Sequence, residues 1–421
     1  MARNRKSFYE DITIDKLVHG GQGLGTLRDG RKALIWNALP NERVKAHCID
    51  RNKDFVEGVA TEILLPSNER ITPKEDIYLA TSPWQNMTLS SEHDAMKRIV
   101  EESYKRENLA IPNFVVESDD VSYGYRNKIE FSFYGDDAGL HYAFYNRGTH
   151  SKQIVEGSAL AMPVINKAAK ALLVQLNRIN IRAGDLKSII FRTTQQNKVV
   201  GALFTKKNEF SRLDLPVELN GLEVYYSNPR SPASVATKLI YKIGDTSLYD
   251  TLLGTRLKYS VIGFFQVNLP VFELALRRIN ELTNDSEDKI DMYSGVGSIG
   301  VPISNTRALI EINASNIAMA KQNIGVKDIK VIEASAEQSL DYIQSNTTLI
   351  VDPPRSGLHK DVISRILDVL PKSICYLSCN VSTQARDVAL ISSYYRITDI
   401  DCFNFFPRTP HIETLVMLEK K

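Results

Sequence analysis

The sequence predicts a three-part protein: an N-terminal OB-like β-barrel, an α+β middle part and a C-terminal α/β domain of the Rossmann type. Two observations predict the last part. From about residue 261, apolar strands alternate with helices, and a glycine-rich loop follows the first strand. Fully apolar strands separated by helices are typical of a parallel sheet covered on both faces. We therefore divide the 421 residues into a barrel at 1–66, a linker with a helix at 67–118, a central domain at 119–260 and the C-terminal domain at 261–421.

The barrel is predicted from short β-branched runs that alternate with turn-forming clusters, namely HGGQGLG at 19–25, RDG at 28–30 and LPNE at 39–42. The first cluster resembles a phosphate-binding loop but lacks the Lys-Ser/Thr of a P-loop, so we interpret it as a hairpin turn. Such a barrel is typical of RNA-binding domains.

The linker and the central domain carry two helical patterns. One runs from about Ser91 to Asn108, and we expect this helix to pack on the C-terminal domain. The other is VINKAAKALLVQLNRI, which begins at Val164. It follows the strand pair KIEFSFYG and LHYAFYN and precedes the strand pair LKSIIFRTT and KVVGALFT. In the C-terminal domain we expect a helix from Val271 to Asn284 and a further helix after each of the five strands from KIDMYSG to SICYLSCN.

Composition narrows the class of protein. Hydrophobic residues make up 43% and charged residues 24%, as in ordinary globular proteins. No apolar stretch reaches the roughly 18 residues that span a bilayer, and the first residues lack a secretory signal, so we expect a cytoplasmic, membrane-free monomer. The net charge of +2 neither requires nor excludes RNA.

One basic run could contact RNA. It spans Lys187–Arg212 and holds six basic residues against the single acid Glu209. The pattern alone favours the solvated face of a surface hairpin. The six are Lys187, Arg192, Lys198, Lys206, Lys207 and Arg212.

The glycine-rich loop indicates a cofactor that contains ribose. It runs from Asp291 to Gly300, DMYSGVGSIG, and Glu311 ends the next strand, where a carboxylate can accept both ribose hydroxyls. NAD and S-adenosylmethionine both satisfy this pattern. Glu311 alone could also be a charge at the start of a helix.

Two later strand ends favour catalysis at the same edge of the sheet. Asp352 follows the strand TTLIV and precedes two prolines, which hold it in a rigid exit. Cys379 follows the strand SICYLS, one strand further on. A lone Asp-Pro-Pro can be a structural turn, and a buried cysteine is more often inert than reactive. The other cysteines, Cys48, Cys375 and Cys402, show no zinc or disulfide spacing.

Taken together, these motifs resemble the RNA uridine-C5 methyltransferases, and the barrel resembles the TRAM domain of the ribosomal-RNA members. The resemblance covers the chain from about residue 120 to its end. The matching segments, in order, are YRNKIEFSF from Tyr125, FFQVN from Phe264, DMYSGVGSIG, Glu311, DPPRSGL from Asp352, LSCNVST from Leu377 and FPRTPHIET from Phe406.

The resemblance implies a role for individual residues. Cys379 would be the nucleophile that attacks C6 of uracil, and Glu413 the base that removes the C5 proton. Arg126 and Lys128 would lie near the RNA. S-adenosylmethionine would be held by Gln266, Tyr293, Gly295, Ser298, Glu311 and Asp352. Phe264 and Phe265 could stack on bases or belong to the core.

The sequence also departs from the family. Many members hold a [4Fe–4S] cluster through four cysteines, but the segment after the barrel has none and Ala159 occupies the fourth position, so no cluster is expected. Ser335 replaces an acidic residue expected near the adenine. Val381 and Asn404 replace a proline and an aspartate that are common there.

The function predicted is formation of 5-methyluridine in RNA, with 23S rRNA favoured over tRNA by the barrel. Two other classes stay open at this point. A NAD-dependent dehydrogenase would explain the glycine-rich loop but not Cys379. A non-catalytic RNA-binding homologue would explain the missing cluster cysteines but not the retained Cys379 and Glu413.

Overall fold

The computed structural model describes residues 7–50, 54–149, 151–231 and 233–421. The N-terminal strands form a closed barrel in the order β1-β2-β3-β5-β4. Within the described ranges, no helix is long and apolar enough to cross a membrane. The barrel strands are β1 (Ser7–Leu17), β2 (Gly23–Thr26), β3 (Lys32–Trp36), β4 (Arg43–Asp50) and β5 (Phe55–Leu65).

The predicted turn at 19–25 was too long, because β2 already begins at Gly23. Side chains of β1 pack closely over this strand. A Cβ on Gly23 would lie 2.8 Å from Cγ2 of Ile14, and one on Gly25 would lie 2.5 Å from Cγ2 of Ile12. These glycines are therefore required by close packing and do not mark a turn.

The linker docks on the C-terminal domain through its main helix. Its elements are α1 (Tyr78–Thr81), a 3₁₀ turn (Pro83–Asn86), α2 (Leu89–Arg106) and β6 (Val116–Glu117). Met96, Val100 and Tyr104 of α2 are buried in the same apolar cluster as the C-terminal sheet. The helix therefore packs against the C-terminal sheet.

The central part is a seven-stranded sheet in the order β13-β12-β11-β10-β7-β8-β9. Its long helix α3 (Pro163–Arg178) covers one face through Ile165, Leu172 and Leu176. The other face contacts the C-terminal domain through Ile190 and Phe204. The strands are β7 (Lys128–Asp136), β8 (Gly139–Tyr145), β9 (Lys152–Val155), β10 (Leu186–Thr193), β11 (Val199–Thr205), β12 (Gly221–Tyr226) and β13 (Lys238–Gly244).

A hairpin and a helix lead into the C-terminal sheet, whose order is β18-β17-β16-β19-β20-β22-β21-β6. Each neighbouring pair along β18-β17-β16-β19-β20 is parallel, and β22 is antiparallel to both β20 and β21. The elements are β14 (Leu248–Leu252), β15 (Thr255–Tyr259), α4 (Leu269–Leu282), β16 (Lys289–Met292), β17 (Thr306–Glu311), α5 (Ala314–Asn323), β18 (Lys330–Glu333), β19 (Thr348–Val351), α6 (Lys360–Val369), β20 (Ser373–Ser378), α7 (Val381–Ile391), β21 (Tyr395–Phe403) and β22 (Glu413–Lys420).

This architecture confirms the predicted fold class, since two apolar clusters cover the two faces of the C-terminal sheet. Two predicted helices are wrong. After the glycine-rich loop the chain makes successive turns, because Pro302 has no N–H and the N–H of Gly300 donates to Asp291 Oδ2 at 2.7 Å. Between β18 and β19 there are only two 3₁₀ turns, Ala336–Gln338 and Leu340–Tyr342.

The basic run is not one surface either. Arg192 is only 1% exposed and donates to the carbonyls of Ser260, Gly263 and Phe265. Phe265 is also buried and stacks on Tyr259 with 4.1 Å between ring centroids, so it belongs to the core.

Candidate active site

Three parallel strands deliver the predicted catalytic and cofactor residues to one edge of the C-terminal sheet. β16 ends before Tyr293, β19 before Asp352 and β20 before Cys379. Because these strands are parallel neighbours in the order β16-β19-β20, the loops that follow them lie side by side.

The antiparallel strand β22 brings Glu413 to Cys379. The last pair in the ladder of β20 and β22 is Ser378 with Thr414, so the next positions along the same register are Cys379 and Glu413. Directly opposite residues of an antiparallel pair have Cβ atoms about 5 Å apart and lie on the same face. Gln384 fixes this register, since its Nε2 donates to carbonyls of both strands, Tyr376 O at 2.8 Å and Thr414 O at 3.1 Å.

Cys379 lies half-buried at a pocket of about 280 Å³. The other three cysteines, Cys48, Cys375 and Cys402, are fully buried and do not line this pocket. Burial and the nearby carboxyl of Glu413 raise the pKa of the Cys379 thiol to about 11, whereas the hydrogen-bonded guanidinium of Arg355 acts to lower this pKa. The free protein therefore holds this thiol protonated.

Arg355 is fixed beside the thiol by loop contacts. Its carbonyl accepts hydrogen bonds from Asn380 Nδ2 at 3.0 Å and Thr383 Oγ1 at 3.2 Å. Its guanidinium lies 3.1 Å from Nδ1 of His411. Burial and the Arg355 charge lower the pKa of His411 to about 4, so the ring is neutral and accepts this hydrogen bond. The motif DPPR contained the signal for Arg355, although sequence reasoning assigned it no role.

The outer wall of the pocket comes from distant parts of the chain. His19 and Gly20 of the barrel and Arg147 of the central domain line it together with Cys379. Arg147 lies 4.0 Å above the ring of barrel residue Trp36, and its Nε donates to the carbonyl of Leu79. No local pattern in the sequence predicted these wall residues, because their meeting depends on tertiary packing.

The carboxyls of buried Glu413 and half-buried Asp352 lie close enough to the thiol to act on its pKa. Burial and the charge of Asp352 raise the pKa of Glu413 well above its usual range. Burial raises the pKa of Asp352 itself to about 7. Repulsion between the two carboxylates disfavours simultaneous ionisation, so this pair holds a proton near neutral pH.

The predicted cofactor loop is tied to the neighbouring strand. Both oxygens of Glu311 accept backbone N–H groups, Gly295 N at 2.8 Å, Ile312 N at 2.9 Å and Asn313 N at 2.6 Å. Tyr293, within this loop, takes a left-handed backbone with φ of 67°. The structure therefore brings Tyr293, Gly295 and Glu311 together.

The loop leaves room for a bound group. A Cβ on Gly295 would meet nothing within 4 Å, so the loop is open there, and Ser298 is half-buried. Gln266 is buried, and its carbonyl accepts a hydrogen bond from the central domain. Both amide atoms of buried Asn268 have no partner among the described residues. These features fit a polar cofactor such as S-adenosylmethionine.

Hydrogen bonds join the linker to the segment of Ala159. Glu75 Oε1 accepts from Ala159 N at 2.6 Å, and Glu75 Oε2 accepts from Gln85 Nε2 at 2.9 Å. Gln85 Nε2 also donates to Ser82 Oγ at 2.6 Å. Within the described ranges, no group of three or more His, Cys, Asp or Glu residues could hold a metal ion.

Comparison with known proteins identifies the family. The family model of the tRNA (uracil-5-)-methyltransferases matches residues 86–346 and 339–421. This chain belongs to that family. The site residues from Gln266 to Glu413 all lie within the matched ranges.

Relatives match along nearly the whole chain. An RNA methyltransferase of Thermotoga maritima is 27% identical over 98% of this chain and 99% of its own length. The 23S rRNA (uracil(1939)-C(5))-methyltransferase RlmD of a Marinomonas species is 26% identical over 98% of this chain and 95% of its own. The tRNA (uracil-54, C5)-methyltransferase of Pyrococcus abyssi, solved with S-adenosyl-L-homocysteine, is 22% identical, with a TM-score of 0.76 over 97% of this chain and 99% of that one. This last likeness shows the shared fold.

Proposed function

We propose that this protein transfers a methyl group from S-adenosylmethionine to C5 of a uridine in RNA, and that the RNA is 23S rRNA. The observation that carries the proposal is the register of β20 and β22, which makes Glu413 the position opposite Cys379, and Cys379 lines a pocket. Membership of the uracil-5-methyltransferase family supports the reaction type.

Cys379 activates the ring. Its thiolate adds to C6 of uracil, and the C5–C6 double-bond electrons move toward O4, which gives an enolate with a nucleophilic C5. S-adenosylmethionine, when bound, supplies an electrophilic methyl group to this carbon. The high pKa of the free thiol means that a proton must leave as the bond forms, and Arg355 favours the thiolate.

Glu413 completes the reaction. After C5 carries the methyl group it also keeps its hydrogen, so a base must remove that proton. The electrons then re-form the C5–C6 double bond as the C6–S bond breaks, and Cys379 is released. A carboxylate with a raised pKa is a stronger base than an exposed one, which suits this step.

The cofactor would be held by the residues around the open loop. Tyr293, Gly295 and Ser298 would line the loop, and Glu311 would meet the ribose with the lone pairs that its backbone bonds leave. Asp352 lies at the next strand end. Because position 335 is a serine and not an acidic residue, fewer polar groups would be available to bind the adenine.

The proposal is tested by methyl transfer to transcribed 23S rRNA and tRNA, in wild type and in Cys379→Ala. We expect transfer to rRNA in the wild type, no transfer in the variant, and equal binding of S-adenosylhomocysteine by both. Cys48→Ala, which removes a thiol outside the pocket, should retain activity.

Each other result changes a defined part of the proposal. Transfer to tRNA alone would contradict the rRNA assignment, and undiminished transfer by Cys379→Ala would contradict the nucleophile. Transfer to neither RNA by the wild type would favour a non-catalytic RNA-binding protein. Mass mapping of rRNA and tRNA from a deletion strain would locate the modified uridine.

A further inference from the structure

The central sheet leaves part of one face open. α3 covers the opposite face, and the contact with the C-terminal domain is made at β10 and β11. Toward β8 and β9 a cavity of about 520 Å³ lies on the open side. Its floor is formed by small side chains that pair across three strands, Ser188 with Ser132 and Ser132 with Ala143.

Large apolar and aromatic side chains stand around this floor. Tyr134 follows Ser132 by two positions and Tyr145 follows Ala143 by two, so both lie on the open face. Tyr134 is 41% exposed, Tyr145 is 53% exposed, and Ile154, which pairs with Ala143, is 42% exposed. Such a group of exposed rings on a sheet is typical of a binding surface.

Three lysines line the same cavity, Lys152, Lys187 and Lys206. The ammonium groups of Lys152 and Lys206 donate to the backbone carbonyls of Phe133 and Gly184, each at 2.8 Å, and Lys187 donates to three backbone carbonyls. Because carbonyls carry no net charge, these contacts orient the lysines without neutralising them.

Acidic residues do little to offset that charge. Among the described residues that line the cavity, Glu130 is the only acid. The open face therefore has a positive potential that attracts phosphate groups.

The open face is continuous with the pocket of Cys379. A second cavity of about 320 Å³, lined by Arg126, Lys128 and Glu130, lies between them. It shares Glu130 with the open face and Thr81 with the Cys379 pocket. A basic groove thus leads from the thiol onto the sheet.

We propose that this open sheet face binds a single-stranded segment of the RNA that flanks the target uridine. The inference rests on the proposed function, because it takes the Cys379 pocket as the site of the modified base. Exposed rings can stack on unpaired bases while lysines contact the phosphates. A duplex is excluded as the occupant, because its bases are stacked inside and cannot reach Tyr134 or Tyr145.

The test measures RNA binding with labelled oligouridylate of about 12 nucleotides, long enough for the few nucleotides that such a surface holds. A duplex of equal length is the second probe. The variants are Tyr145→Ala and the double variant Lys152→Glu/Lys206→Glu. The matched control is Lys167→Glu/Lys170→Glu, which reverses two exposed lysines on α3, on the covered side of the same sheet.

We expect the open-face double variant to bind oligouridylate at least about tenfold more weakly. Loss of two phosphate contacts should reduce the slope of log K against log salt by about 1.4. Tyr145→Ala should weaken binding about tenfold with an unchanged slope, because stacking releases no counterions. The control should bind as the wild type does, and duplex binding should be unchanged in all three.

Equal weakening in the control and the open-face variant would overturn the inference, and so would equal weakening toward duplex and single strand. Measuring methyl transfer in the same proteins distinguishes failure of this inference from failure of the proposed function. If the wild type methylates RNA and the open-face variants bind RNA normally, only the proposal that the open face binds RNA is contradicted. Open-face variants that lose RNA binding, in a protein that methylates no RNA, contradict only the methyltransferase assignment.

Discussion

Alkylation of Cys379 in the free protein should be slow at neutral pH and should accelerate steeply as the pH rises. Burial and the carboxyl of Glu413 raise the pKa of this thiol to about 11. At pH 7.5 a thiol with that pKa is ionised in about 1 molecule in 3,000, against about 1 in 10 for an ordinary cysteine. The thiolate population is therefore lower by a factor of about 300.

The reactivity of the thiolate offsets part of this difference. A less acidic thiol gives a better nucleophile, and a Brønsted coefficient of about 0.4 over 2.5 pKa units recovers a factor of about 10. Alkylation by iodoacetamide should then be about 30-fold slower than for a model peptide at pH 7.5. The rate should rise about tenfold per pH unit up to about pH 10, because only the thiolate reacts.

The assay is peptide mapping by mass spectrometry, with fully buried Cys375 as the internal control that should not react. Two variants shift the pKa in opposite directions. Glu413→Gln removes a nearby carboxylate and should speed alkylation at alkaline pH, whereas Arg355→Met removes a nearby cation and should slow it. The electrostatic account would be refuted if the alkylation rate levelled off near pH 8.5. It would also be refuted if both variants changed the alkylation rate in the same direction.

Two predictions concern stability. Glu92→Ala should lower the free energy of unfolding by about 3 kcal/mol in urea, because it leaves buried Arg408 without its partner carboxylate, while the exposed helix position Glu101→Ala should change it little. Glu75→Ala should cost about 1–3 kcal/mol, because the N–H of Ala159 loses its acceptor and the amide of Gln85 keeps only Ser82 Oγ. An unchanged urea midpoint in either variant would contradict the corresponding contact.

The sequence predicted the parts of this protein that local patterns determine. Alternating apolar strands and helices predicted the doubly covered sheet, and the strand ends placed Asp352 and Cys379 at one edge. Helical spacing located α2, α3 and α4 to within about two residues of their observed ends.

Features that depend on long-range contacts were missed. The helix expected after the glycine-rich loop is absent because the carboxylate of Asp291 accepts the hydrogen bond of the Gly300 N–H. The meeting of His19, Arg147 and Cys379 in one pocket depends on how the barrel and the central sheet pack, and no local pattern reports that. The same holds for the open sheet face, since alternation in β7 and β8 does not say which face stays uncovered.

The central claim is that Cys379 and Glu413 act on the same pyrimidine. In the Glu413→Gln variant, Cys379 should still bond to C6 and C5 should still be methylated. The variant should fail to remove the C5 proton. A covalent complex of protein and methylated RNA should therefore accumulate on a denaturing gel, and the second substitution Cys379→Ala should abolish it. The claim is contradicted if Glu413→Gln forms no such complex on an RNA that the wild type methylates, or if the complex persists without the thiol.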